Sequence, residues 1–326
     1  MGLFQNVVRR ALIVLFAAAC LPFTALAQNF PEQPIKILVP FPPGGGTDFV
    51  SRIVGAKLAE MTGWQIVIEN RPGAGGNLAI EVAARAPADG YTLVMGQTDN
   101  MMIGPWLYSS LTYDSVKSFA PIINVSVTPE AISSAANGPI KTPEDLIAKG
   151  KTAEGLRWST AGAGTLGHLV GEDFKNRTNI NLLQVPYKGA APAIADVMGG
   201  QVDVYIGTLA SQSGLVKGGK LHLVAVASGK RSAQFPNAPT LDQTVAKGTD
   251  FSIWMGLFAP AGTSPAIVER INTEMNKVLK NPDVISKMEA GGVTPAGGSS
   301  QEFAEFVKQD YANWGKLAKN SGVKLD

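Results

Sequence analysis

The stretch IKILVPFPPGGGTDFVSRIVGAKLAEMTG, residues 35–63, decides the fold. Ile35 to Pro40 is a β-branched apolar run and reads as a strand. Two prolines and three glycines then break it. A helical pattern starts at Thr47 and Asp48, where Phe49, Val50, Ile53, Val54 and Leu58 recur on one face, and Gly63 is a fitting stop. Working outward, WQIVIE (64–69) reads as a strand, GGNLAIEVAARA (75–86) as a short helix ended by Pro87, and YTLVMG (91–96) as a strand. Strand, helix, strand, helix, strand is the signature of a parallel sheet with helices on its faces.

The alternation continues to the C-terminus. FAPIINVSV (119–127) reads as a strand, and PEAISSAANGP (129–139) as a separate short strand ended by a turn. TPEDLIAKG (142–150) is a helix with Thr142 as its cap, Pro143 at the first helical position and Asp145 three residues on. Strands follow at 156–160, 181–187, 201–207, 220–227 and 251–260, and helices at 164–179, 191–200, 264–280, 282–290 and 300–320. The fold class is therefore α/β. We divide it into two lobes, each a mostly parallel sheet flanked by helices. Residues 28–127 together with 231–326 form the first, discontinuous lobe, and 128–230 form the second; a continuous N-lobe and C-lobe is the alternative division.

Composition narrows the function. The chain has 326 residues with 28 Lys and Arg against 26 Asp and Glu. Arg9 and Arg10 precede ALIVLFAAACLPF, an apolar run short for a membrane span, and the small residues Ala25 to Ala27 follow. This is the pattern of a secretory signal peptide over residues 1–27. A membrane anchor, a buried N-terminal helix and a lipid-modified Cys20 are the alternatives; Ala17 stands where lipoprotein signals usually carry Leu. Cleavage after Ala27 removes two bases, no acids and the single cysteine, which leaves a neutral chain without thiol chemistry. Neutrality argues against nucleic acid as a partner, since binding it demands a basic face.

Three glycine-rich loops join a strand to a helix: VPFPPGGGTD (39–48), NRPGAGGN (70–77) and STAGAGTLGH (159–168). Such loops lie outside the carboxyl ends of the strands, where open α/β sheets bind ligands. Glycine lets the backbone come close, and the helix that follows presents unpaired N–H groups and the positive end of its dipole. An anion can be held there without Arg or Lys. No stretch fits the dinucleotide fingerprint or the P-loop, so no cofactor is expected. Catalytic groups are few. His222 sits inside the apolar run LHLVAV and reads as structural, while His168 opens a helix and either lines a site or satisfies backbone. Ser159, His168 and Asp173 could be imagined as a triad, but no G-x-S-x-G elbow exists, and two isolated histidines make a metal site improbable. Asp48 is a helix-start cap or dipole partner or, alternatively, accepts a ligand ammonium or fixes the glycine loop.

Several phrases, in order along the chain, resemble one family. They are QPIKILVPFPPGGGTDFVSRIVGAKLAE, VIENRPGAGGNLAIEVAARAPADGYTLVMG, STAGAGTLGHLVGEDFK, VPYKGAAPAIADVMGGQVDVYIG and FAPAGTSPAIVERIN. Together they look like the substrate-binding proteins of tripartite tricarboxylate transporters, the Bug-type receptors. The resemblance implies a periplasmic, non-enzymatic protein of two α/β lobes with a ligand cleft between them, which closes like a flytrap on a small carboxylate and delivers it to membrane transporter subunits. It also implies binding positions. On the first lobe these are Phe41, Pro43, Gly44, Gly45, Gly46, Thr47 and Asp48. On the second they are Ser159, Ala161, Gly162, Gly164, Thr165 and His168. Tyr187, Lys188, Gly189 and Asp203 match further positions near the cleft. The segment GQTDNMMIGPWLY (96–108) departs from the family form, in which a small residue and often His follow the strand.

The first reading of function is thus an extracytoplasmic solute receptor for a small organic acid. A secreted hydrolase-like enzyme using Ser159 and His168 is the second, and a ligand sensor docking on a signalling partner the third.

Overall fold

The computed structural model describes residues 30–321 and residue 325, with side chains described as far as residue 315. The expected signal peptide, with Cys20, lies outside the described residues. From Gln33 onward the described residues form one compact unit.

The opening stretch folds as its periodicity dictates. Strand β1 (Ile35–Val39) runs into helix α1 (Gly46–Thr62), whose Val50, Val54 and Leu58 are buried. Each such side chain contributes about 1.5–3 kcal/mol on burial. Gly63 ends the helix in the left-handed region, φ +74°, its N–H donating to the Ala59 carbonyl. β1 pairs parallel with β2 (Ile66–Asn70) on one edge and β3 (Thr92–Gln97) on the other. Between β2 and β3 lies α2 (Asn77–Ala84). A π-helical turn, Thr98–Ile103, and the one-turn helix α3 (Gly104–Leu107) follow β3; both fall in the segment that departs from the family form.

Next comes β4, a single strand of 17 residues from Phe119 to Ala135, where two short strands were expected. Pro129 does not end it, and the pairing explains why. Glu130 donates its N–H to the Phe251 carbonyl and accepts from Ala227 N–H on one edge. Alternation turns the Pro129 nitrogen to the other edge. There β10 (Thr294–Pro295) pairs with residues 126 and 127, and β7 (Val204–Thr208) begins at Glu130. The missing N–H falls in the gap between them.

One continuous sheet results, in the order β2-β1-β3-β9-β4-β7-β5-β6, with β8 and β10 also paired to β4. Strand β9 (Ser252–Pro260) covers residues 119–129 of β4, and β8 (Leu221–Val226) covers 131–135 on the same edge, both antiparallel. β5 (Leu156–Thr160) is parallel to both β6 (Leu182–Pro186) and β7. Two α/β halves, each with a parallel core, thus meet at β4. The second half carries α4 (Pro143–Gly150), capped by Thr142 and Asp145 as its sequence predicts, then α5 (Leu166–Thr178), α6 (Ala190–Met198) and α7 (Leu209–Lys217). Helix α7 was not foreseen: LASQSGLVK lacks a strong apolar stripe, and it buries small and polar groups, Ala210, Gln212 and Ser213, beside Leu209. Helices α8 (Pro265–Leu279), α9 (Pro282–Ala290) and α10 (Ser300–Ser321) close the chain. Among the described residues no helix is long and apolar enough to cross a membrane.

Candidate functional site

The first glycine loop makes one wall of a cleft. Gly44 holds φ +85°, a left-handed turn that glycine adopts without strain. Gly45 caps α1 with extended backbone and no side-chain partner, so the first turn of the helix keeps its amide donors. Gly46 has a different reason to be glycine. A Cβ there would lie 2.7 Å from Thr208 Oγ1 and 3.0 Å from the Ala210 Cβ, which belong to the opposite half. The Asp48 carboxylate is used within the loop: it accepts from Gly44 N at 3.0 Å, Asn70 Nδ2 at 2.9 Å and Arg52 Nε at 3.0 Å. Burial pushes Asp48 up, but these donors together hold it below the usual carboxylate range. Of the roles open to Asp48, the structure shows it fixing the loop.

The loop at 159–168 makes the facing wall. Thr165 Oγ1 donates to the Gly162 carbonyl at 2.8 Å, and Gly164 N–H donates to His168 Nδ1 at 3.1 Å. Burial favours the neutral ring of His168, as an acceptor requires. His168 therefore clamps the loop, and Ser159, fully buried, donates to the Val204 carbonyl at 3.2 Å. Serine and histidine do not pair, so the triad reading has no geometric support.

The two walls bound a small cavity of about 40 Å³. Phe41, Gly45, Gly46 and Thr47 line it from one side and Ala161, Thr165 and Gly167 from the other. Its remaining lining was missed by sequence reasoning: Gln97 and Asp99, which follow β3; Glu130 on β4; Tyr205 and Thr208 on β7; and Ser211 on α7. Asp99 bridges the cleft. Its Oδ1 accepts from Leu166 N, the first amide of α5, at 2.7 Å, and its Oδ2 accepts from Gln97 Nε2 at 2.6 Å. Gln97 Oε1 in turn accepts from the Thr47 hydroxyl. The α5 start was expected to hold a ligand acid, but its first amide already holds a protein acid. Burial, opposed by the Leu166 and Gln97 hydrogen bonds, pushes Asp99 up to about 6. Burial and the nearby Asp99 push Glu130 well above its ordinary value.

The other expected positions divide. Gly162, Tyr187, Lys188 and Gly189 line a neighbouring, larger cavity with Pro42, Gly75 and Tyr108; Phe41 and Ala161 border both. There the halves also touch: Tyr108 donates its hydroxyl to the Ala163 carbonyl at 3.2 Å, and a Cβ on Gly189 would lie 2.8 Å from Pro42. Tyr187 donates to Asp196. Seven expected positions line neither cavity; four of them, Asp48, Ser159, Gly164 and His168, hold their own loops or strand as described above. Pro43 and Gly44 sit on the exposed outer turn of their loop and line neither cavity. Asp203 accepts from the Arg157 backbone N–H at 2.7 Å and forms a 3.0 Å salt bridge with its guanidinium, and it lines neither cavity.

Comparison with known proteins agrees with the ordered motifs. The profile of the tripartite tricarboxylate transporter family receptor matches residues 50–323. The chain is 33% identical to the UPF0065 protein in the tcbD-tcbE intergenic region of Pseudomonas sp. (strain P51), over 96% of this chain and 94% of that protein. Among solved structures it resembles R. palustris Rpa4515 with adipate, at TM-score 0.86 and 32% identity over 90% of this chain and 99% of that one. It likewise resembles the periplasmic binding protein BugD, at TM-score 0.84 and 31% identity over 90% and 99%.

Proposed function

We propose, from the premise that this chain belongs to the tripartite tricarboxylate transporter receptor family, that it binds a small organic acid in the cleft between 41–47 and 161–167 and delivers it to a membrane transporter of the tripartite type. Proteins of this family are periplasmic solute-binding receptors and not enzymes. The observation that carries the acid reading is the start of α1: a helix N-terminus without a side-chain cap lines the small cavity between the two walls. That arrangement holds a carboxylate by amide donors and the helix dipole. The similar Rpa4515 protein, whose structure holds adipate, supports the same ligand class.

The chain then works as a hinged clamp. Residues 28–127 with 231–326 form one jaw and 128–230 the other, and the chain passes between them at Pro129–Glu130 and between Ala227 and Phe251. Export by the N-terminal segment 1–27 would place it in the periplasm. A ligand shifts such a hinge only by its differential affinity for the closed form, so it has to touch both jaws. A thermal-shift screen of mono-, di- and tricarboxylates tests the reading. A ligand at a hundred times its Kd adds about 2.7 kcal/mol of stability. An acid that raises the melting temperature and is recovered unchanged is the expected result; an acid consumed over hours would overturn it in favour of an enzyme.

A further inference from the structure

Glu130 is the group the receptor reading leaves unused. It is 1% exposed, lines the cavity, and its Oε2 has no hydrogen-bond partner among the described residues. An ionised carboxylate is costly in such a place, whereas its protonated form carries no charge to satisfy. A second acid, Asp99, lines the same cavity, its two oxygens accepting from Leu166 N–H and Gln97 Nε2. No Lys, Arg or His lines it among the described residues, so no side-chain cation offsets the pair. The other titratable neighbours do not offset it either. Tyr205 of β7 is a buried phenol that shares a hydrogen bond with Ser211 at 3.2 Å, and burial pushes it up. His168, beside the lining Gly167 in α5, accepts from Gly164 N–H, and burial favours its neutral ring. Thr47 of α1, Ala190 of α6 and Ser211 of α7 line the cavity without charge, and Ala227 and Phe251 meet Glu130 through backbone alone.

An entering acid anion brings a third negative charge to this cleft. The free amides of α1 answer that charge, but the two protein acids stay uncompensated. Closing the cleft shuts out water and strengthens the repulsion among all three. One proton relieves it. Asp99 has two donors to support a charge and Glu130 Oε2 has none, so the proton belongs on Glu130. We infer that the acid anion is bound together with a proton, held by Glu130 beside Asp99, so that the receptor takes up anion and proton as one unit. This rests on the acid-receptor reading above. It ties proton uptake to closure, because Asp99 belongs to the first half while Glu130 stands where β4 passes between the two.

Calorimetric titration with butyrate, succinate, glutarate and adipate tests it, between about pH 6.5 and 8.5, where these acids are themselves ionised. Titrations repeated in phosphate and in Tris, buffers of unlike ionisation heat, count the protons exchanged. The expected result is an uptake approaching one proton per anion and an affinity that falls by up to about tenfold per pH unit. Glu130→Gln is neutral at every pH. It is expected to flatten that slope and to bind more tightly than wild type at the alkaline end; the wild-type titrations decide the matter even if the variant folds poorly. Anion binding with no proton exchange and a level affinity would overturn the inference and leave the acid receptor standing. Uptake that persists undiminished in a folded Glu130→Gln variant would overturn the role of Glu130. Silence toward all four acids across the range would overturn both readings.

Discussion

At the scale of single residues, the cleft depends on where carboxyl groups find donors. Asp48 and Asp99 both follow strands of the same parallel unit, yet they behave in opposite ways. Asp48 gathers three donors and stays ionised, whereas Asp99 has two and is fully enclosed. This difference has a pH consequence. The folded-state value of Asp99, about 6, lies above its ordinary 3.8, so the folded chain binds its proton more tightly than the unfolded chain. The contribution of that group is full below about pH 3.8 and is lost as pH rises to about 6, by on the order of 3 kcal/mol. Glu130 is shifted in the same direction. Asp99→Asn has no proton to lose there. Its stability relative to wild type should therefore improve as pH rises from 4 to 6 and stay level above, read from urea midpoints at each pH; a gap that does not move with pH contradicts the assignment.

At the scale of elements, the close seating of helices on strands uses glycine where a large ring lies opposite. In α5, Gly171 faces Trp158 of β5, and a Cβ there would lie 2.1 Å from the indole. Trp158 is fully buried and cannot swing out. Gly171→Ala should destabilise the fold by about 1–3 kcal/mol through overpacking, despite alanine's better helix propensity. A urea midpoint equal to or above wild type would show that the helix can shift. Much of this level was legible in the sequence. The three strand-to-helix turns, the Gly63 stop of α1, the caps of α4 and the parallel pairs came from local patterns, since each depends on neighbours within a few residues. The unity of β4 was not legible, because a proline is harmless only if its nitrogen faces a gap, and the gap is made by residues 126–127, 204–208 and 294–295. Glu130 was hidden for the same reason. A lone acid between Pro129 and Ala131 in an apolar strand was the available signal, and only the long-range pairing shows which way it faces. His168 was visible as a residue at a helix start, but its partner, Gly164 N–H, depends on the loop's shape.

At the scale of the whole molecule, the question is whether the two halves meet as a clamp, and Gly46 isolates it. As the first residue of α1 it has ordinary helical backbone, so a larger side chain strains nothing within its own half. What it obstructs is across the cleft: its Cβ would lie 2.7 Å from Thr208 Oγ1 and 3.0 Å from the Ala210 Cβ. Opening the cleft relieves that conflict without breaking the core. A substitution here should therefore act on closure and spare folding, which distinguishes it from Gly171. For Gly46→Val the expected outcome is a urea midpoint close to wild type, within about 0.5 kcal/mol, as for substitutions that disturb no core packing. Ligand affinity should fall by at least roughly tenfold, since each 1.4 kcal/mol by which the closed form is penalised is a factor of ten. Small-angle scattering separates this from simple loss of a contact. Wild type should contract when the ligand found by the thermal screen is added, and the valine variant should keep its larger radius of gyration even at saturating ligand. Contraction of the variant to the wild-type radius would mean that the walls at 46 and 208–210 do not approach in the bound form, and the hinge between Pro129 and Glu130 would lose its part in binding.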